Sequence, residues 1–160
     1  MDTRKIEEIY QKIADTVNDM IPDKWNKLYL YAEVSKDSGC VYFDFESATK
    51  QKFIYSLDIP EIYNIDENEF NKLERGLLNL FESLHTEFEK KTPQTWTNLT
   101  MYLDNFGKFK MDYSYDEVSF TPHEQRVIWK YKVLGIYPTN ERSKKIVDDY
   151  IKNYENNHVE

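Results

Sequence analysis

Between Ile6 and Met20 the apolar residues Ile6, Ile9, Tyr10, Ile13, Val17 and Met20 recur at spacings of three and four. That rhythm puts them on one stripe of an amphipathic helix. Thr3 and Asp2 are equal candidates for its cap, and Pro22 closes the pattern, with Trp25 at the entry to the next element. From Leu28 the period falls to two. Leu28, Leu30, Ala32 and Val34 alternate with Tyr29, Tyr31 and Glu33; Lys36-Asp37-Ser38-Gly39 make a turn; Val41, Phe43 and Phe45 then resume against Tyr42 and Asp44. Alternating runs around Asp-Ser-Gly predict a hairpin with a turn longer than two residues. Lys52 to Leu57, with Phe53 and Tyr55 opposite Ile54, reads as the next strand of a meander.

Helical rhythm returns at Asp66, which with Glu69 resembles a capping box. Phe70, Leu73, Leu77, Leu80, Phe81, Leu84 and Phe88 form the stripe, and Lys90 and Lys91 stand where the helix dipole favours cations. After Pro93 a second pair of strands is predicted: Trp96, Asn98, Thr100 and Tyr102 alternate with Leu99, Met101 and Leu103, Asp104-Asn105-Phe106-Gly107 turns, and Phe109, Met111 and Tyr113 share one side of the return strand. Thr121-Pro122 followed by Glu124 starts another helix, carried by Val127, Ile128 and Tyr131 to Gly135. A last helix has Ile146, Val147, Tyr150, Ile151 and Tyr154 as its stripe. The predicted fold is α+β, an antiparallel sheet of about five strands with helices packed on it, in the order α-β-β-β-α-β-β-α-α. No repeat or low-complexity linker interrupts it, so residues 1–160 are expected to form a single domain.

Composition narrows the chemistry. The 160 residues are 40% hydrophobic and 31% charged, ordinary for a folded protein, with 29 acidic against 21 basic residues and a formal charge of -8. A surface of that sign repels phosphate backbones and attracts basic partners, so direct nucleic-acid binding is not expected. The chain shows no signal-peptide core and no apolar run approaching the ~20 residues that cross a bilayer, and it reads as cytoplasmic with no membrane partner. Thirteen Tyr, nine Phe and three Trp point first to core and sheet packing; Trp25 and Trp129 are expected there, and the tyrosines leave room for a homodimer.

Catalytic patterns are sparse. His85, His123 and His158 are scattered, with no His-x-x-x-His pair for zinc, and four glycines leave no phosphate-binding loop. Cys40, the single cysteine, follows a turn glycine without a visible base and reads as structural or incidental. The one catalytic alternative is a metal-dependent hydrolase built on Lys108, Lys110, Asp112, Asp116 and Glu117. Alternating polar residues on a sheet face account for the same pattern. The expectation is a protein without catalytic activity, cofactor or metal.

Read together, several segments resemble one family. Pro22-Asp23-Lys24-Trp25 running into Lys27-Leu28-Tyr29-Leu30-Tyr31-Ala32-Glu33-Val34 is similar to the opening of the YezG-like immunity proteins. So are Val41-Tyr42-Phe43-Asp44-Phe45, Phe70-Asn71-Lys72-Leu73, Trp96-Thr97-Asn98-Leu99-Thr100 and Gly107 through Asp116. Glu124-Gln125-Arg126-Val127-Ile128-Trp129-Lys130-Tyr131 through Leu134-Gly135-Ile136-Tyr137-Pro138 completes the likeness. The resemblance covers almost the whole chain in order. It implies an antitoxin of Gram-positive bacteria, made beside a polymorphic toxin exported by the type VII secretion system, that binds and neutralises that toxin, several of which end in a DNA-cutting nuclease domain. No catalytic residue is implied. An adaptor or chaperone for another exported protein is the alternative binding role.

A stoichiometric inhibitor needs a complementary surface. For a basic nuclease partner the expected contacts are Asp112, Asp116 and Glu117 first, then Asp58 and Glu61 in the acidic run that ends at Glu69. Trp96, Tyr113 and Tyr115 are the aromatic residues expected at the centre of such a patch.

Overall fold

The structure, a computed structural model, describes residues 3–155 and comprises two compact units that divide between Glu117 and Val118. Asp2 and His158 lie outside the described residues. The first unit runs α1 (Arg4–Met20), β1 (Trp25–Val34), β2 (Gly39–Ser47), β3 (Lys52–Tyr55), a 3-10 turn (Ser56–Asp58), α2 (Ile59–Tyr63), α3 (Glu67–Glu89), β4 (Asn98–Asp104) and β5 (Phe109–Ser114). Its five strands are antiparallel throughout, in the spatial order β3-β2-β1-β4-β5. The predicted elements are all present. The short helix α2 is additional, and lies in the acidic stretch where no helical stripe shows.

Register explains the core. Leu28, Leu30 and Ala32 of β1 stand beside Phe45, Phe43 and Val41 of β2, and on the other flank beside Leu103, Met101 and Leu99 of β4. All nine are buried, and they meet Ile9, Ile13 and Val17 of α1 with Phe70, Leu77, Phe81 and Leu84 of α3. Helical and strand stripes are thus matched across one interface. Asp66 caps α3, accepting from the backbone N–H of Asn68 at 2.8 Å and Glu69 at 3.4 Å. Thr3 caps α1 by position, but its side chain makes no capping bond.

The opposite face of the sheet departs from a simple solvated face. Tyr31 and Tyr42 stack at 5.2 Å and are 1% and 9% exposed, and Asp44, beside Tyr29 and Tyr55 in register, is 3% exposed. The Tyr31 hydroxyl donates to Glu33 at 2.7 Å; burial, then that carboxylate, raises its pKa far above the phenol range.

Asp23, in the link between α1 and β1, gathers three distant segments. It accepts from Ser47 Oγ at 2.6 Å, Thr49 Oγ1 at 2.9 Å and Tyr63 Oη at 2.5 Å. These residues belong to the end of β2, the β2–β3 turn and α2. The Lys50 ammonium stands 5.4 Å from the Tyr63 ring centre. Burial acts to raise the Asp23 pKa, but the Ser47, Tyr63 and Thr49 hydrogen bonds outweigh it and hold the carboxyl below its ordinary value. Burial and the same carboxylate push the Tyr63 hydroxyl up to about 12.

The second unit contains α4 (Pro122–Trp129), a π-helical turn (Lys130–Leu134), α5 (Glu141–Tyr150) and a second π-helical turn (Ile151–Glu155). Its start matches the sequence reading: the Thr121 side chain accepts from Glu124 N–H at 3.2 Å while the Glu124 carboxylate accepts from Thr121 N–H at 3.0 Å. Gly135, at φ 69°, supplies the left-handed residue that ends the first turn. Trp129 is buried. Phe120, Tyr150 and Tyr154 form a ring cluster with centroids 5.4–6.3 Å apart.

Removing the Asp23 carboxylate strands three hydroxyl donors, so Asp23→Ala should cost about 2–3 kcal/mol in urea unfolding at neutral pH. Because the folded-state pKa is depressed, the contribution is full above the ordinary Asp value and lost as pH falls through the lower folded value. Asp23→Asn should therefore flatten the acid limb of the stability–pH curve, and an unchanged limb would show that other carboxylates govern it.

Candidate partner-binding surface

The residues expected to meet a partner do not form one patch. β5 alternates Phe109, Met111 and Tyr113, packed against the core, with exposed Lys110 and Asp112. The Lys110 ammonium lies 3.7 Å from the Asp112 carboxylate, both about two-thirds exposed, a surface pair of small energetic weight. Tyr115, 46% exposed, Asp116 and Glu117 follow β5. The backbone oxygen of Asp116 accepts from Thr97 Oγ1, which pins the chain there while leaving its carboxylate exposed.

Asp58 and Glu61 are exposed beyond β3, at the far side of the sheet from β5. Four strand spacings separate the two edges, roughly 19 Å. Neither carboxylate has a hydrogen bond or ion pair among the described residues. Within the same acidic run Asp66 is engaged as the α3 cap and Glu69 pairs with Lys72 at 3.6 Å. Leu57 is 50%, Ile62 41% and Ile65 36% exposed, so this edge mixes apolar and acidic side chains.

Trp96 corrects the expectation of a surface aromatic. It is fully buried, with Tyr113 at 5.8 Å and the His85 ring edge-on at 4.9 Å. Its indole N–H has no acceptor among the described residues. The reason is local: β4 begins only at Asn98, and Thr97 bonds to Ser114 and Asp116, so the alternation does not extend back to residue 96. Tyr113 likewise faces inward, its hydroxyl 2.6 Å from that of Tyr10 and its ring 4.9 Å from Phe88. Burial, then the Tyr10 hydrogen bond, raises its pKa strongly. Of the three aromatic candidates, Tyr115 alone offers a largely open ring.

The most exposed aromatic among the described residues, missed in the sequence reading, is Phe106, 92% exposed at the tip of the β4–β5 turn. Asp104 Oδ1 accepts from the backbone N–H of Phe106 and of Lys108, both at 2.9 Å, and Gly107 at φ 87° completes the turn. A large ring is therefore held out from a fixed loop. Its signal in the sequence is an aromatic inside an Asp-Asn-x-Gly turn, where no core contact is available.

Among the described residues no group of three His, Cys, Asp or Glu side chains is placed to hold a metal ion. Nor is any helix there long and apolar enough to cross a membrane. Cys40 lies exposed at the surface; partial loss of hydration first and Glu33 second push its thiol up to about 11, which keeps it protonated at neutral pH.

These placements separate packing from presentation. Trp96→Ala should lower unfolding free energy by about 3–5 kcal/mol, whereas Phe106→Ala should stay within about 0.5 kcal/mol of wild type. Urea titrations of the two variants check this, and a large loss for Phe106→Ala would mean that the ring packs.

Comparison with known proteins bears on what such a surface meets. The sequence profile described as "Immunity protein YezG-like" matches residues 6–148. Immunity protein YezG of Bacillus spizizenii is 42% identical over 158 residues, covering 97% of this chain and 98% of that protein. Immunity protein YezG of Bacillus subtilis is 43% identical over 149 residues, covering 91% and 99%. The type VII secretion system protein EsaG of Staphylococcus aureus is 29% identical over 157 residues, covering 94% and 96%. With matches of that extent and identity, the chain belongs to the YezG-like family of immunity proteins.

Proposed function

We propose that this protein is the antitoxin of a toxin exported by the type VII secretion system, and that it binds the toxin's C-terminal nuclease domain in the cytoplasm and blocks DNA cleavage there. Full-length similarity to immunity proteins carries the reading. The formal charge of -8 supports a basic partner, because opposite fields speed encounter and disfavour wrong complexes. The whole chain acts as one immunity domain in this reading, supported by a family match that runs through both compact units.

Neutralisation is stoichiometric: the chain occupies the nuclease rather than modifying it. Two regions supply the contacts. One combines Asp112, Tyr115, Asp116 and Glu117 after and along β5 with Phe106 at the turn before it; the other is the acidic and apolar edge around Asp58 and Glu61. Trp96 and Tyr113 act from behind, holding β5 in place.

The test is a titration of purified protein into the C-terminal domains of secreted toxins encoded in the same genome, with DNA cleavage followed against molar ratio. Cleavage should vanish near a small integer ratio for the matching toxin, and Phe106→Ala should raise the dissociation constant about tenfold without loss of folding. Undiminished cleavage at large excess across the panel would sink the reading.

A further inference from the structure

A groove of about 550 Å³ opens on the first unit between the head of β2, the 3-10 turn and α3. Cys40, Val41, Leu57, Glu74, Arg75 and Leu78 line it. Leu57 projects at the rim, half exposed, and Asp58 follows it in the chain. Glu74 is half-buried, and no described residue gives it a hydrogen bond or ion pair. Loss of water raises its carboxyl above the ordinary value, with no cation to offset the effect. Arg75, its chain neighbour, also lines the groove, but it forms no ion pair with Glu74 and does not offset the effect of lost water on that carboxyl. The Cys40 thiol stays protonated and serves as apolar wall.

A partly desolvated carboxylate without a partner, beside the apolar side chains of Val41, Leu57 and Leu78, favours an incoming positive charge, since a cation delivered there meets reduced screening. We propose that the groove seats a basic side chain of the toxin, an arginine or lysine whose cation meets Glu74 while its aliphatic stem lies along Val41, Leu57 and Leu78. This rests on the antitoxin reading and adds where the partner's charge lands. The acidic run from Asp58 to Glu69 contains no Lys or Arg, so the approach on that side is negative as well.

The test measures affinity of wild type, Glu74→Gln, Glu74→Lys and Leu57→Asp for the matching toxin domain, with circular dichroism melts to confirm folding. Glu74→Gln and Leu57→Asp should each weaken binding about tenfold, and Glu74→Lys at least a hundredfold, roughly. A second readout uses the single cysteine: iodoacetamide alkylation of Cys40 at alkaline pH should slow about tenfold in the complex. Wild type that binds while all three variants stay within twofold, with Cys40 equally reactive, would overturn the groove and leave the antitoxin reading standing. Wild type that binds no toxin domain overturns both.

Discussion

The placement of β1 in the middle of the sheet is the constraint on which the rest depends. It must satisfy β2 on one flank and β4 on the other while keeping Leu28, Leu30 and Ala32 on the helix-covered face. Side chains alternate with period two, so a slip of one residue would turn that apolar set away from α1 and α3. Because β2 and β4 carry matching apolar residues in register, both flanks select the same alignment. α3 then lies between β3 and β4 in the chain, and the sheet is completed only after the helix has been laid down.

Much of this was legible because it rests on local periodicity. The Asp66 cap, the Thr121–Glu124 box and the two-residue alternations of β1, β2, β4 and β5 state their own geometry. Side chains answering to distant partners were not legible. Tyr31 and Asp44 sit at polar-face positions yet are buried, and Tyr113 is tied to Tyr10 across more than a hundred residues of chain. Trp96 was misplaced because alternation was extended past the true start of β4. α2 left no apolar stripe because it is five residues long and buries only Ile59.

For the candidate surface, exposure was harder to read than charge. The acidic positions lie at the surface, as their chemistry requires, but they divide between the two edges of the sheet. The aromatic positions split the other way, with Trp96 and Tyr113 in the core and Phe106 outside it. A partner can thus meet fixed apolar points set in an acidic field, a combination that joins fast encounter to slow release.

The late arrival of β4 has a consequence during synthesis. While the ribosome makes α3 and the loop beyond it, one flank of β1 has no strand to pair with, for a few seconds at roughly 5–20 residues per second. An open strand flank invites pairing with other chains. A message cut short before β4 therefore yields no smaller version of the same binder, but an adhesive fragment whose fate belongs to chaperones and proteases.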